Sequence, residues 1–370
     1  ERDGLPGRRV EAFRYTDLRS RLGVLPPPAP ARIAVEGPLG AVRIRSLAED
    51  LAAGEAGALT LSGPAPHPVE AVVAALAEDG LTLTVPKGVR LEAPLVLRHL
   101  AEGAGPSSRA LRILIRLEEG AEAVLHEEIG QSAGAGVAFV HLGVELAASS
   151  RLAHLRIQTA EESLAHIALL RGRVGRAASY THGFLTLGGG LSRHEIDLDL
   201  TGEGAEATIH GGYHVGGERL TDTTSYMRHA VPRCRSAQTV KGVAGDEAHG
   251  VFQGRISVER NAQGTDGAML TKALLLDRRA EVDLKPELVI HADDVKCSHG
   301  ATIGELDADQ LFYLMARGLP EPEARGLLVR AFLGEVSEAV GGTFGTAACE
   351  RFEALAGAAL ERLQGREDPA

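Results

Sequence analysis

Cys297 and His299 stand two residues apart in the run "ADDVKCSHGATIGELDADQLFYL", residues 292–314. Thiolate and imidazole are ligands that suit iron, zinc and iron–sulfur clusters. On a strand, residues two apart face the same side, with Cα atoms about 6.5–7 Å apart. The pair can therefore face one metal together. It makes at most half of a site, because a stable cluster takes about four protein ligands. The remainder would have to come from a partner chain. The same residues also have a plain reading, in which Cys297 packs as a small apolar side chain and His299 bonds to backbone. Asp293 and Asp294, just upstream, are expected to accept hydrogen bonds from backbone donors at a corner. Lys296 is expected to point away from Cys297. Cys234, in "VPRCRSAQ", lies between two arginines that would favour its thiolate if it were exposed. Cys349 sits among apolar neighbours in a helical pattern and is expected to pack.

The elements that must position this pair follow from composition and period. The chain of 370 residues is 44% hydrophobic but only 4% aromatic, with no Trp, so its core must be aliphatic. Forty-five Gly and 17 Pro imply many turns, which a helical bundle would not need. The net charge of −11 argues against a nucleic-acid partner, which needs a basic face. Three scattered Cys make no disulfide framework, and a cytoplasmic setting is the expectation. No apolar run is long enough to span a membrane, and the charged first residues carry no signal-peptide pattern.

Residues 1–80 read as a mixed, partly helical segment. "RRVEAFRYTDLRSRL" has the spacing of a short helix, and "GVLPPPAPARIAV" reads as an extended Pro-rich linker. "RSLAEDLAA" and "HPVEAVVAALAEDG" have helical spacing, with His67 read as an exposed loop residue before the second. Residues 81–303 alternate with period two, as in "LTLTV", "LRILIRLEEG" and "LSRHEIDLDL", with no intervening helical segments. That is an all-β core.

Within it "GAEAVLHE", "ASSRLAHL", "RAASYTHG" and "GAEATIHG" place His126, His154, His182 and His210 at equal intervals. A fixed period of this size signals stacked coils, and a parallel β-helix with two main strands per coil fits it. His166 and His194 share the same offset. Leu125, Ala153, Leu155 and Ile209 on the opposite parity look more core-like, so the four histidines are read as an outward ladder. Residues 304–370 turn helical. Asp307 with Gln310 resembles a capping box, one helix ends near Gly318, another begins near Pro322, and "CERFEALAGAALERL" is a third. This tail is expected to pack on the end of the β region, covering an open edge, or on a partner.

The long runs "AEVDLKPELVIHADDVKCSHGATIGELDADQLFYLMARGLPEPEARGLLVRAF" (280–332) and "GVFQGRISVERNAQGTDGAMLTKALLL" (250–276) resemble the SufD family, as does "RRVEAFRYTDL". The "DDVKCSHG" form and the lack of an N-terminal multi-Cys stretch favour SufD over its sister family SufB. A longer N-terminal helical segment usual in the family has no counterpart in this sequence. The resemblance implies a right-handed parallel β-helix. It implies a scaffold subunit of the SUF iron–sulfur cluster assembly machinery that pairs with a SufB-like subunit and binds a SufC-like ATPase. It implies a nascent iron–sulfur cluster, transient and shared with the partner, near His299 and Cys297, with none expected in the isolated chain. The helix carrying Leu311, Phe312, Tyr313, Leu314 and Arg317 is then the expected ATPase contact.

No P-loop, GxSxG or HExxH motif occurs, so a non-catalytic role is expected, with ATP hydrolysis in a partner. Other readings are a carbohydrate-active β-helix lyase or hydrolase, and a structural homo-oligomer. The homo-oligomer is compatible with the scaffold reading, since a SufD-like chain made alone could pair with itself.

Overall fold

The computed structural model of the chain describes residues 5–54, 67–77, 79–102 and 105–364. Residues 55–66 of the N-terminal segment lie outside the described residues. The chain winds into a mainly β solenoid whose coils alternate between two nine-stranded sheets. One sheet stacks β1 (Ala31–Glu36), β4 (Leu95–Ala101), β6 (Glu122–Ile129), β8 (Arg151–Gln158), β10 (Ser179–Thr186), β12 (Glu206–Val215), β14 (Arg235–Ala244), β16 (Thr265–Leu275) and β18 (Val295–Gly304). The other stacks β2 (Arg43–Ser46), β3 (Asp79–Val85), β5 (Ser107–Leu117), β7 (Gly136–Leu146), β9 (Leu164–Val174), β11 (Leu191–Leu200), β13 (Leu220–His229), β15 (His249–Val258) and β17 (Glu281–Ile290). From β3 onward every pairing within a sheet is parallel, apart from the antiparallel caps that β1 makes on β4 and β2 on β3. The cap strand β1 lies inside the stretch read as linker: "ARIAVE" pairs as soon as the prolines end.

One corner of each coil is held by a residue with left-handed φ: Gly120, Ser149, Ala177, Gly204 and Arg233 in succession. The amide of each corner residue donates to a carbonyl in the next coil, as Gly120 does to Ala148 and Ser149 to Arg176. Stacking therefore satisfies the turn backbone as well as the strands. The lumen between the sheets is filled by Leu, Val and Ile, with Phe184, Tyr213 and Phe252 among them. Two of these rings fit only because glycine faces them. A Cβ on Gly211 would lie 2.0 Å from the Phe184 ring, and one on Gly242 would lie 1.9 Å from that of Tyr213.

The coil length is not constant, and this corrects the histidine ladder. Leu125 aligns with His154, His154 with His182, and His182 with Ile209, so the coil shortens at each of these steps. His154 and His182 point into the lumen, with ring centroids 4.6 Å apart. His126 and His210 fall on the outer face, where His126 meets Phe344. His166 aligns with Ser192 and His194 with Ala168, so that offset does not mark the register either. Alternation hides the parity because the outer face of this sheet is itself apolar: Leu155, Ile157, Leu185 and Leu187 are buried under the C-terminal helices.

Those helices are α4 (Ala308–Ala316), α5 (Glu321–Phe344) and α6 (Thr346–Gln364). The last two form a hairpin across Gly345, whose φ is 93°. Contrary to the expected end cap, the hairpin lies along the flank of the solenoid: Val336, Val340 and Phe352 pack on β8 and β10 residues, while Val329 and Leu333 pack on Val243. Lys241, 1% exposed, reaches from β14 into α5, bonding the Phe332 carbonyl at 2.8 Å and the Glu335 carboxylate at 2.7 Å. The apolar outer face of β8 and β10 is what this hairpin covers.

The opposite flank is covered by the N-terminal segment. The stretch read as one helix is a single 3₁₀ turn at Glu11–Phe13 followed by α1 (Leu18–Leu22). Phe13, Leu18 and, from α3 (Pro68–Leu76), Val69 and Val73 pack on Phe139, Ile167 and Leu169. α2 (Leu47–Ala52) carries a full capping box of Ser46 and Glu49. His67 is not an exposed loop residue. Its Nδ1 caps α3 at Val69, and its Nε2 bonds Glu195 at 2.9 Å. Beneath it Arg193 is clasped by Glu195 and Asp222, with Phe13 stacked 4.2 Å from its guanidinium and Thr16 bonded to Asp222. Burial alone would raise the Glu195 carboxyl, but Arg193 and His67 bring it down to about 2.

Candidate functional site

β18 closes one sheet. It bonds β16 along one edge, and among the described residues no strand pairs with its other edge. β17 ends the other sheet in the same way. Leu270, Val289, Ile290 and Ile303 are exposed around this end of the solenoid. An open pair of edges beside apolar side chains is a template for adding another chain's strands.

Cys297 and His299 lie on β18, and the strand geometry puts both on the side that faces the lumen in earlier coils. Cys297 aligns with Gly267, which aligns with Ser236. A Cβ at Gly267 would lie 3.6 Å from the Cys297 Sγ and 3.5 Å from the Ser236 Oγ. The glycine thus leaves the thiol without a large neighbour toward the previous coil. Ser236 is in turn held by the Nε2 of the buried His229 at 2.8 Å. Cys297 is half-buried against the edge of the lumen core. Burial pushes its thiol pKa up, and the Asp266 carboxylate adds to the shift. His299 aligns with the buried Met269 but is itself exposed, because among the described residues no further coil covers it. Lys296 is exposed on the opposite parity, as expected.

Among the described residues no group of three or more His, Cys, Asp and Glu is arranged to hold a metal ion. Cys297 and His299 stand at the open end of their sheet. Thiolate and imidazole are donor types that suit iron and iron–sulfur clusters, which take about four ligands. The Asp293–Asp294 corner is stitched through main chain: the Asp294 amide donates to Gln263 Oε1 at 2.8 Å, and its carbonyl accepts from Gly264 at 2.7 Å. Cys234 is fully buried, donates to the carbonyls of Gly202 and Pro232, and has its pKa raised by burial, so its flanking arginines do not activate it. Cys349 packs in α6 beside Ser337.

After β18 the chain enters α4, capped by Asp307, whose Oδ1 accepts from the amides of Asp309 and Gln310 at 2.9 Å each. The residues singled out on this helix divide. Leu311 and Leu314 are half-buried. Phe312 and Tyr313 are 73% and 57% exposed, and the Arg317 guanidinium lies 4.9 Å from the Tyr313 ring centroid. Only Glu305 and Leu306 separate the Cys–His strand's end at Gly304 from the helix cap at Asp307. No helix among the described residues is long and apolar enough to cross a membrane.

The family described as "SUF system FeS cluster assembly, SufBD core domain" matches residues 99–332. The chain is 35% identical over 272 residues to the iron–sulfur cluster assembly protein SufD of Escherichia coli, covering 72% of this chain and 64% of that protein. It is 34% identical over 271 residues to the chloroplastic protein ABCI7 of Arabidopsis thaliana, covering 71% and 57%. It is 30% identical over 276 residues to a SufBD family protein of Synechocystis, covering 71% and 60%. The matches thus span about three-fifths of the length of these curated relatives.

Proposed function

The chain belongs to the SufBD core family of the SUF iron–sulfur cluster assembly system, and from that premise we propose that it is a SufD-type scaffold subunit working without catalysis of its own. The family assignment replaces the carbohydrate-active reading. The observation that carries the proposal is the placement of Cys297 and His299 on the last, one-sided strand, at an end ringed by exposed apolar residues. A SufB-like partner adding its strands there would bury Leu270, Val289, Ile290 and Ile303 and could bring the missing ligands. The nascent cluster is then cargo, held transiently between two chains. A chain made alone would meet a second copy through the same edges.

Binding iron needs the Cys297 thiolate, which burial disfavours in the free chain. The exposed His299 imidazole supplies the readier ligand. The exposed Phe312 and Tyr313, with Arg317, form the face for a SufC-like ATPase. The short link from β18 to α4 lets motion of that helix reach the pair. The proposal places the complex in the cytoplasm. The test is anaerobic reconstitution of the co-expressed three-subunit complex. His299→Ala is expected to lower cluster yield sharply while the subunits still co-purify. Equal yield would remove His299 from the site.

A further inference from the structure

The first described stretch carries positive charge that the rest of the molecule leaves uncompensated. Residues 5–22 hold five arginines against two carboxylates, in a chain whose net charge is −11. Both carboxylates are already engaged. Glu11 is paired with Lys285 on β17. Asp17 Oδ1 accepts from the Ser20 amide at 3.0 Å, and the Arg8 amide bonds the same carboxylate; these bonds hold it below its usual range. Elsewhere on the solenoid surface, arginines pair with a carboxylate of the neighbouring coil, as Arg90 does with Glu122, Arg116 with Glu145 and Arg255 with Glu287. Among the described residues no carboxylate pairs with Arg9 or Arg21.

The arginines stand on a folded loop. The Pro6 carbonyl accepts from the Arg19 amide at 3.3 Å, and the Leu5 carbonyl accepts from Arg19 Nε at 3.2 Å. The Val10 amide donates to the Gly7 carbonyl at 2.9 Å and closes a turn. The loop is thus drawn back onto α1. With the start of α3 it borders a cleft of about 670 Å³. Arg8, Arg9 and Arg19 all line this cleft, with Asp17 beside them. Val10, 46% exposed, and the half-buried Pro68 supply an apolar wall. The volume lies within the range of small-molecule sites, about 300–1,000 Å³. Three guanidiniums and one engaged carboxylate call for a ligand with at least two negative charges. Guanidinium forks match phosphate oxygens in pairs. The apolar wall calls for a ligand whose other end is a flat, weakly polar ring.

We propose that this cleft binds a nucleoside diphosphate, with its phosphates on Arg8, Arg9 and Arg19 and its base against Val10 and Pro68. Asp17 is a positioning residue that holds the Arg8 backbone. Arg14 and Arg21 lie on the same stretch outside the cleft, so they add only a long-range attraction that salt screens. The site does not depend on the scaffold reading.

ADP is the probe, titrated calorimetrically into the full chain at physiological salt. Saturable one-site binding is expected. Arg8→Gln and Arg9→Gln should each weaken it about tenfold or more, because each removes charge-assisted bonds to phosphate. Arg14→Gln and Arg21→Gln should change it less than about twofold. All four side chains are exposed, so each variant should keep the wild-type melting temperature. Inorganic diphosphate should compete with ADP but bind more weakly. Absence of saturable binding up to about 1 mM ADP would overturn the proposal. So would equal losses in Arg8→Gln and Arg14→Gln, which mean a diffuse basic surface, or diphosphate binding as tight as ADP, which removes the base contact.

Discussion

Replacing Lys241 with Ala should loosen the C-terminal hairpin while leaving the solenoid intact. Lys241 joins β14 to α5 through one charge-assisted bond to the Phe332 carbonyl, one ion pair and a cation–π contact 4.6 Å from the Phe332 ring. Glu335 is 64% exposed on its side of the pair, so solvent discounts that interaction to at most about 1 kcal/mol. The charge-assisted bond to the part-buried Phe332 carbonyl is worth about 1.5–3 kcal/mol and the ring contact about 0.5–1 kcal/mol. The bond and the ring contact alone give about 2–4 kcal/mol on docking of the hairpin, and the screened ion pair adds little to that. Native-state hydrogen exchange reads this locally. Amides of α5 and α6 should exchange about 30-fold to several-hundred-fold faster, at about 1.4 kcal/mol per decade, while β8, β10 and β12 keep their protection. Unchanged exchange in α5, or equal acceleration in hairpin and strands, would refute the idea that Lys241 latches one unit onto another.

Three further outcomes follow from the same contacts. Phe312→Glu with Tyr313→Glu should abolish co-purification with the ATPase and leave far-UV circular dichroism unchanged; retained binding would exclude this face. Glu195 has its folded pKa lowered to about 2 by Arg193 and His67, so its contribution is complete above its unfolded value and fades as pH falls toward 2. Denaturation of Glu195→Gln should therefore show a deficit at pH 7 that shrinks below about pH 4.5, the usual Glu range; a pH-independent deficit would contradict this. Alkylation of Cys297 in the free chain should be slow at pH 8, accelerate at higher pH and quicken in Asp266→Asn, because burial and Asp266 both raise its pKa, whereas Cys234 should react only on unfolding.

Much of the fold was legible because a solenoid repeats its own evidence. Period-two runs without helices between them, and histidines at equal intervals, pointed to stacked coils with two strands each. What the equal intervals concealed was the progressive shortening of the coil, which turns His126 and His210 outward and His154 and His182 inward. The stacked left-handed corner residues mark the true register, but Ser149, Ala177 and Arg233 hold that conformation without being glycine, so the sequence does not flag them. Leu125 and Ile209 are lumen core, whereas Leu155, of the same apolar character, is buried under helices instead. The Cys297–His299 strand and the Asp307-capped helix were visible because both depend on local spacing. Contacts inside the lumen were not: Arg156 on β8 bonds His166 on β9 and lies 3.6 Å from Glu127 on β6, and these residues meet only through the coil register. His67 likewise finds Glu195 from a distant part of the chain, which no local pattern announces.

The central claim is that the open end of this solenoid lends ligands to a cluster shared with a partner chain. The direct measurement is electron–nuclear hyperfine spectroscopy on the assembled complex, reduced to a paramagnetic state, with ¹⁵N-histidine in this chain alone. A ¹⁵N coupling to the cluster that vanishes in His299→Ala is the predicted result. Coupling seen only when the partner carries the label, with His299→Ala unchanged from wild type, would contradict the account.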